Sequence, residues 1–152
     1  NGERTPHNNP YARGVFFGLG SDTSREAMVQ SALEGVAFAL SDAQSRLHAA
    51  GTRCALPGVI GGGARSRYWI QLISDIMGTP LARYEGAAKG PAFGAARLAR
   101  LALTQEAVED VCLKPVIEEI IEPDTSRHAS YQPRFAKFRR LYNALADEFT
   151  PD

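Results

Sequence analysis

The stretch whose residue types and spacing could most directly do chemistry is Gly61-Gly62-Gly63-Ala64-Arg65-Ser66. Three glycines lack the side chains that hold a ligand off the backbone, and a helix that follows would offer its first unpaired amides to an anion. A nucleotide is one occupant; a tight strand-to-helix bend that binds nothing is the other reading, and the turn alone leaves both open. Neither this turn nor Gly86-Ala87-Ala88-Lys89-Gly90 carries Gly-Lys-Ser or Gly-Lys-Thr after a four-residue gap, so the Walker type of phosphate loop is excluded. A dinucleotide fingerprint is met in part. Gly61 and Gly63 fit its first two glycines, and Glu85, about 20 residues on, stands where an acid meets a ribose hydroxyl. Ser66 occupies the place of the third glycine, which lets helix and strand pack closely.

Groups able to act as base or nucleophile are few. Asp22 precedes a helix as a cap, and Asp42 and Asp75 fall on helices, where a solvated or ion-paired carboxylate is expected. His7 lies in a loop without a paired nucleophile or carboxylate and reads as structural, as do His48 and His128. Cys54 and Cys112 form no C-x-x-C pair, which argues against a disulfide scaffold or zinc site and fits a reducing cytoplasm; both read as buried small hydrophobes. No catalytic residue and no metal ligand is assigned.

The elements that must position the turn alternate. Residues 1–13, with Pro6 and Pro10, read as a loop, and Val15 to Leu19 as a strand closed by Gly20-Ser21-Asp22. Thr23-Ser24-Arg25-Glu26 has capping-box spacing, and Met28, Ala32, Val36, Leu40, Ala43 and Leu47 place one face of a long helix that runs to about Ala49. Pro57 to Ile60 reads as a short strand feeding the glycine turn, and Trp69, Leu72, Ile73 and Ile76 give the helix after it. Leu81 to Tyr84 is a second strand. Gly90-Pro91 opens a helix whose Ala92, Gly94, Ala95 and Ala99 would let it approach a neighbour closely. Val116 to Ile121 is the last strand, and Pro133 begins a final helix with an aromatic stripe of Phe135, Phe138, Tyr142 and Phe149. Strand–helix alternation predicts parallel strands joined by crossovers, in an α/β sheet whose ligands lie at the strand carboxyl ends. The turns at Gly61–Arg67 and Gly86–Pro91, and the start of the long helix near Ser21, occupy that edge.

Composition excludes more than it assigns. Seventeen Lys and Arg balance seventeen Asp and Glu, so no net field draws the chain to nucleic acid or an anionic membrane. Arg134, Lys137, Arg139 and Arg140 give the final helix a basic side that reads as a solvated face. No apolar run approaches the roughly 20 residues of a membrane span. The chain opens without Met, in the polar stretch Asn1 to Pro6, and reads as a fragment of a longer polypeptide.

Several ordered motifs carry a resemblance. Gly2-Glu3-Arg4-Thr5-Pro6-His7-Asn8-Asn9-Pro10, then Arg13-Gly14-Val15-Phe16-Phe17-Gly18-Leu19, resembles the linker and first strand of the second lobe of the FGGY family of carbohydrate kinases, in the form that acts on D-xylulose. Leu33 to Phe38 resembles that family's long helix, Ile60 to Trp69 its adenosine-binding turn, Gly90 to Ala96 the next helix start, and Tyr131-Gln132-Pro133 a motif near the end. The resemblance covers essentially the whole chain. It implies a ribonuclease-H-like, actin-like ATPase domain of α/β class, with a mixed or parallel sheet flanked by helices. Residues 1–152 would be one carboxy-terminal, nucleotide-binding domain, and the sugar-binding lobe with its catalytic aspartate would lie upstream. The backbone of Gly62, Gly63 and Ala64 would lie against adenosine and nearby phosphates, with Arg67 at the base and Ser66 beside them. The long helix would form another wall, with Gly35 at a packing position, and Glu3 and Arg4 would approach the lobe interface. ATP and Mg2+ are the implied cofactors and D-xylulose the implied sugar; glycerol, ribulose and gluconate are the alternatives within the family. The parent enzyme would be cytoplasmic and could pair as a homodimer, with no nucleic-acid or membrane partner, and the chain alone would be inactive.

Overall fold

A computed structural model describes residues 2–113 and 115–151. The chain divides into two compact units, residues 1–53, 75–78 and 123–152, and residues 54–74 and 79–122. No helix among the described residues is long and apolar enough to cross a membrane.

The first unit is built on two long helices, α1 (Arg25–Ala49) and α5 (Thr125–Leu145). Ser24 caps α1, its Oγ accepting from the Ala27 N–H at 3.2 Å. The capping box predicted one residue earlier is therefore shifted, because Thr23 Oγ1 instead accepts from the Gly20 N–H at 2.9 Å. The helical period of α1 is as predicted and its inner face is not. Glu34, Ala37, Phe38, Ser41 and Asp42 are buried, while Val36, Leu40 and Leu47 of the predicted stripe are exposed. Phe38 turns the helix, stacking its ring with Phe135 at 5.9 Å and meeting Tyr131 and Phe138 at 6.1 and 5.7 Å. Gly35 meets nothing within 4 Å where a Cβ would stand, so it is not a close-packing position among the described residues.

Helix α5 starts eight residues before Pro133, which lies in its interior. The Asp124 carboxylate marks the earlier start by accepting from the N–H groups of Ser126 and Arg127 at 2.9 and 3.0 Å; such a cap contributes less than an interior proline costs, and the packing of Tyr131, Phe135 and Phe138 on Phe38 offsets the rest. The predicted strand Val15 to Leu19 does not form. Its residues join no ladder, and Val15, Phe16, Phe17 and Leu19 are all exposed, since a strand exists only through a pairing partner.

The second unit holds a three-stranded sheet in the order β1 (Gly58–Val59), β2 (Leu81–Tyr84), β3 (Ile117–Ile121). β1 and β2 are parallel, joined through α2 (Arg67–Met77), whose last residues count with the first unit. β2 and β3 are antiparallel, with Leu81 opposite Ile121, so the sheet is mixed rather than wholly parallel. Ile70, Leu72, Ile73, Leu81, Ala82 and Ile121 form its apolar interior, and Ser74 Oγ donates to the Thr79 carbonyl at 2.9 Å. Helix α3 (Gly90–Thr104) opens at Gly90-Pro91 as predicted, followed by the short α4 (Val108–Val111). No residue of α3 is buried, and Gly94 meets nothing within 4 Å, so its alanine face has no close neighbour among the described residues. Cys54 and Cys112 are free and exposed rather than buried, since one lies in a loop and the other at the end of α4.

Candidate functional site

The glycine turn follows β1 without slack. Gly61 takes φ +89°, a region that L side chains rarely adopt, and its N–H donates to the Ala87 carbonyl at 2.8 Å. Gly62–Arg65 then form one 3-10 turn, closed by Ala64 N–H to Gly61 C=O and Ser66 N–H to Gly63 C=O, each at 3.0 Å. Ser66 Oγ accepts from the Trp69 N–H at 3.2 Å and so caps the start of α2. The N–H groups of Gly62 and Gly63 have no protein acceptor among the described residues, and both glycines are exposed. A Cβ on Gly63 would lie 3.1 Å from the Trp69 ring, whereas one on Gly62 would meet only Arg65 Nη2, at 3.4 Å.

The structure therefore gathers Gly62, Gly63, Ala64, Ser66 and Arg67 on one turn and the first residue of α2, but their side chains differ in what they can offer. Ala64 is buried and presents only backbone. Ser66 is occupied by its capping bond. Arg67 Nε lies 2.9 Å from Glu119 Oε1 on β3, and this hydrogen bond is the main cause that holds the Glu119 carboxyl below the usual carboxylate range. Arg83 reaches the same acid at 3.3 Å and Glu118 at 3.0 Å. Sequence reasoning missed Glu119, which stands 52 residues from Arg67 and has no local signal beyond an acidic pair in a strand. The second predicted turn joins the first, because Gly90 lies against Gly61, with 3.5 Å between its missing Cβ and the Gly61 Cα. Ser21, the third predicted position, belongs to the other unit.

The acids and histidines weighed as bases belong to the first unit. Asp42 is buried on α1, with Arg139 Nε at 3.3 Å and His7 Nε2 at 3.6 Å. The His7 ring thus has a carboxylate partner in Asp42; it also stacks on Tyr142 at 3.5 Å, and the backbone N–H of His7 donates to Glu3 Oε2 at 2.9 Å. Asp75 accepts from the Asp124 N–H at 2.8 Å and pairs with Arg127 at 3.2 Å, while His128 Nδ1 meets the Asp75 carbonyl at 2.9 Å. Arg134 binds the buried Glu34, so with Arg139 two of the basic residues of α5 serve inward contacts instead of a solvated face. Asp22 is exposed, and the cap bonds beside it come from Thr23 and Ser24. No group of three His, Cys, Asp or Glu able to hold a metal ion occurs among the described residues.

A glycine turn with free amides fits either open reading, and Glu85, just after β2, stands where a dinucleotide fold needs it. Comparison with known proteins gives the family. The sequence profile of the carboxy-terminal domain of the FGGY family of carbohydrate kinases matches residues 1–103. The chain belongs to the FGGY family of carbohydrate kinases. A xylulose kinase of Escherichia coli (strain K12) is 46% identical over 145 residues, 95% of this chain and 30% of that protein. In structure, this FGGY chain is similar to a xyloylose kinase from Brucella ovis, with a TM-score of 0.80 at 39% identity over 96% of this chain and 30% of the other. It is similar also to a ligand-bound xylulose kinase from Lactobacillus acidophilus, with a TM-score of 0.78 at 28% identity over 97% and 30%. The chain spans about 30% of the length of these relatives. The fold is that of the sugar kinases, the actin-like ATPase type, and its mixed sheet agrees with that.

Proposed function

We propose that this FGGY chain forms the adenosine side of the ATP site in a cytoplasmic kinase that phosphorylates D-xylulose to D-xylulose 5-phosphate. The observation that carries the reading is the pair of N–H groups on the exposed Gly62 and Gly63, which have no protein acceptor among the described residues and open the 3-10 turn before α2, where they can meet an anion or polar ligand. The xylulose kinases among its relatives and structural neighbours support the sugar.

In this reading the chain positions the nucleotide and does no proton transfer. The bare backbone of Gly62 and Gly63 allows close approach of ribose and phosphate, and buried Ala64 keeps the floor of the turn fixed. The Ser66 cap holds the first turn of α2, and Glu119 tethers the Arg67 guanidinium, which in this reading faces the base. ATP supplies the transferred phosphoryl group, and charge neutralisation by magnesium is part of that chemistry. The turn carries donors and no carboxylate, so the metal would arrive on the phosphates and be held by the other lobe. The catalytic base and the sugar contacts belong to that lobe too, and the chain alone is inactive; any pairing of the parent as a homodimer would be additional to this site.

Calorimetric titration with ADP and, separately, NAD tests the reading. ADP should bind, and Gly62→Val should weaken it about tenfold or more, a loss of about 1.4 kcal/mol, without lowering thermal stability, because the added side chain meets only the far end of the flexible Arg65 side chain. Tighter binding of NAD would favour the dinucleotide reading, in which Glu85 meets the ribose. Turnover of ATP with D-xylulose by this chain alone would refute the division of labour.

A further inference from the structure

The second unit carries a cleft of about 420 Å³ that the adenosine reading does not use. Its walls are apolar, made by Ile60, Tyr84, Phe93, Leu113 and Val116, and Gly86, Ala87 and Gly90 leave its floor without large side chains. A volume of this size falls in the range of small-molecule sites, roughly 300–1,000 Å³. Among the described residues, Glu85, Lys89 and Arg97 are the charged ones that line it.

The two cations differ from Arg67, Arg83 and Arg100 of the same unit. Arg67 and Arg83 meet Glu119, Arg83 also meets Glu118, and Arg100 Nε donates to Glu106 Oε2 at 2.7 Å. Lys89 and Arg97 have no carboxylate partner among the described residues. Instead both lean on one ring, with Lys89 Nζ 4.8 Å and Arg97 Cζ 4.3 Å from the centroid of Phe93. An aromatic face orients a cation without neutralising it. The cleft thus sets two positive charges against the Phe93 ring, beside an apolar wall that includes Tyr84, with Glu85 the acid among its described lining residues.

We propose that this cleft is a second ligand site, for a small organic anion that joins a phosphate or similar oxyanion to a planar apolar group. The anionic end would meet Lys89 and Arg97, and the apolar end would lie against Tyr84, Leu113 and Val116. The proposal does not depend on nucleotide binding at Gly62 and Gly63, and the residues it needs are different.

Phenyl phosphate is the probe, with inorganic phosphate and phenol as its two halves, followed by amide NMR of the whole chain. Phenyl phosphate should shift the amides of residues 84–97, 113 and 116 saturably and bind at least about fivefold more tightly than either half. Arg97→Gln and Lys89→Gln should each weaken it about three- to tenfold, and Arg97→Lys should restore part of the loss. These variants sit on an exposed helix and an exposed turn, and circular dichroism checks that each is folded. Equal binding of inorganic phosphate would overturn the composite ligand. Unaltered binding in both glutamine variants, or shifts spread over α1 and α5, would overturn the site.

Discussion

In the unit built on α1 and α5, Glu34, Asp42 and Asp75 are all buried, and Arg134, Arg139 and Arg127 respectively meet them. In the unit built on the sheet, Glu106, Glu118 and Glu119 pair with arginines at the surface, and the interior is aliphatic, centred on Ile70, Leu81 and Ile121. The two units thus use ion pairs for different ends. A buried carboxylate must be met at a defined place or its desolvation is uncompensated, so in the first unit the pairs fix which faces of the helices meet. An exposed pair contributes little, so the second unit owes its stability to aliphatic packing. The first should fail abruptly when one partner is lost, and the second by degrees.

Arg134→Met gives the largest expected effect, because it leaves the buried Glu34 with Gln30 and the Tyr131 hydroxyl as its hydrogen-bond partners among the described residues, neither of them charged. A loss of about 3 kcal/mol in urea unfolding is expected, at the low end for a broken buried pair since Arg134 itself is half exposed. The double variant Glu34→Met, Arg134→Met should recover most of it, because apolar replacement of both partners removes the stranded charge. If the double variant is no better than the single, the pair does not work as described. A smaller effect is expected in the other unit. Ile70→Val should cost about 1 kcal/mol, the removal of one buried methylene, and the same readout would show whether the sheet tolerates the change.

This difference also explains what the sequence made legible. The glycine turn was readable because its geometry is local: Gly61 needs its positive φ, and Ser66 caps a helix that begins one residue later. β2 was readable at its bounds, and the length of α1 likewise. The inner face of α1 was not, because its apolar stripe of Val36, Leu40 and Leu47 repeats as a core stripe should, while Phe38 and two acids are what face α5. An acid is read as solvent-facing unless its partner is known, and Arg134 lies 100 residues from Glu34. The start of α5 was misplaced because proline is a strong local signal, whereas Asp124 is an ordinary residue until its carboxylate is seen on two amides. His7 was set aside for want of a carboxylate, which Asp42 supplies across 35 positions of sequence.

One exposed acid in each unit allows the smallest and most specific test. Asp124 is held down to about 2, from an ordinary 3.8, chiefly by the Ser126 hydroxyl and then by the Arg127 amide at the cap of α5. Glu106 is held down to about 2, from 4.5, chiefly by its hydrogen bond from Arg100 and then by the Thr104 hydroxyl. Each value is lower in the folded chain than in the unfolded one, so each contribution is complete above the unfolded value, near pH 4, and is lost as the pH falls through about 2. Asp124→Asn keeps the capping acceptor and removes the titration; Glu106→Gln does the same for the surface pair. Melting curves between pH 6 and pH 2 should therefore decline less steeply in either variant than in the parent chain. Amide exchange separates the two effects. The Asp124 variant should alter acid-induced opening in the first turn of α5, where the His128 N–H donates to the Asp124 carbonyl at 2.8 Å, and the Glu106 variant should alter it only around α3 and α4. An equal response of both regions to either variant would mean that the units open together, and the contrast between pinned helices and a tolerant sheet would then describe their contacts without describing how they come apart.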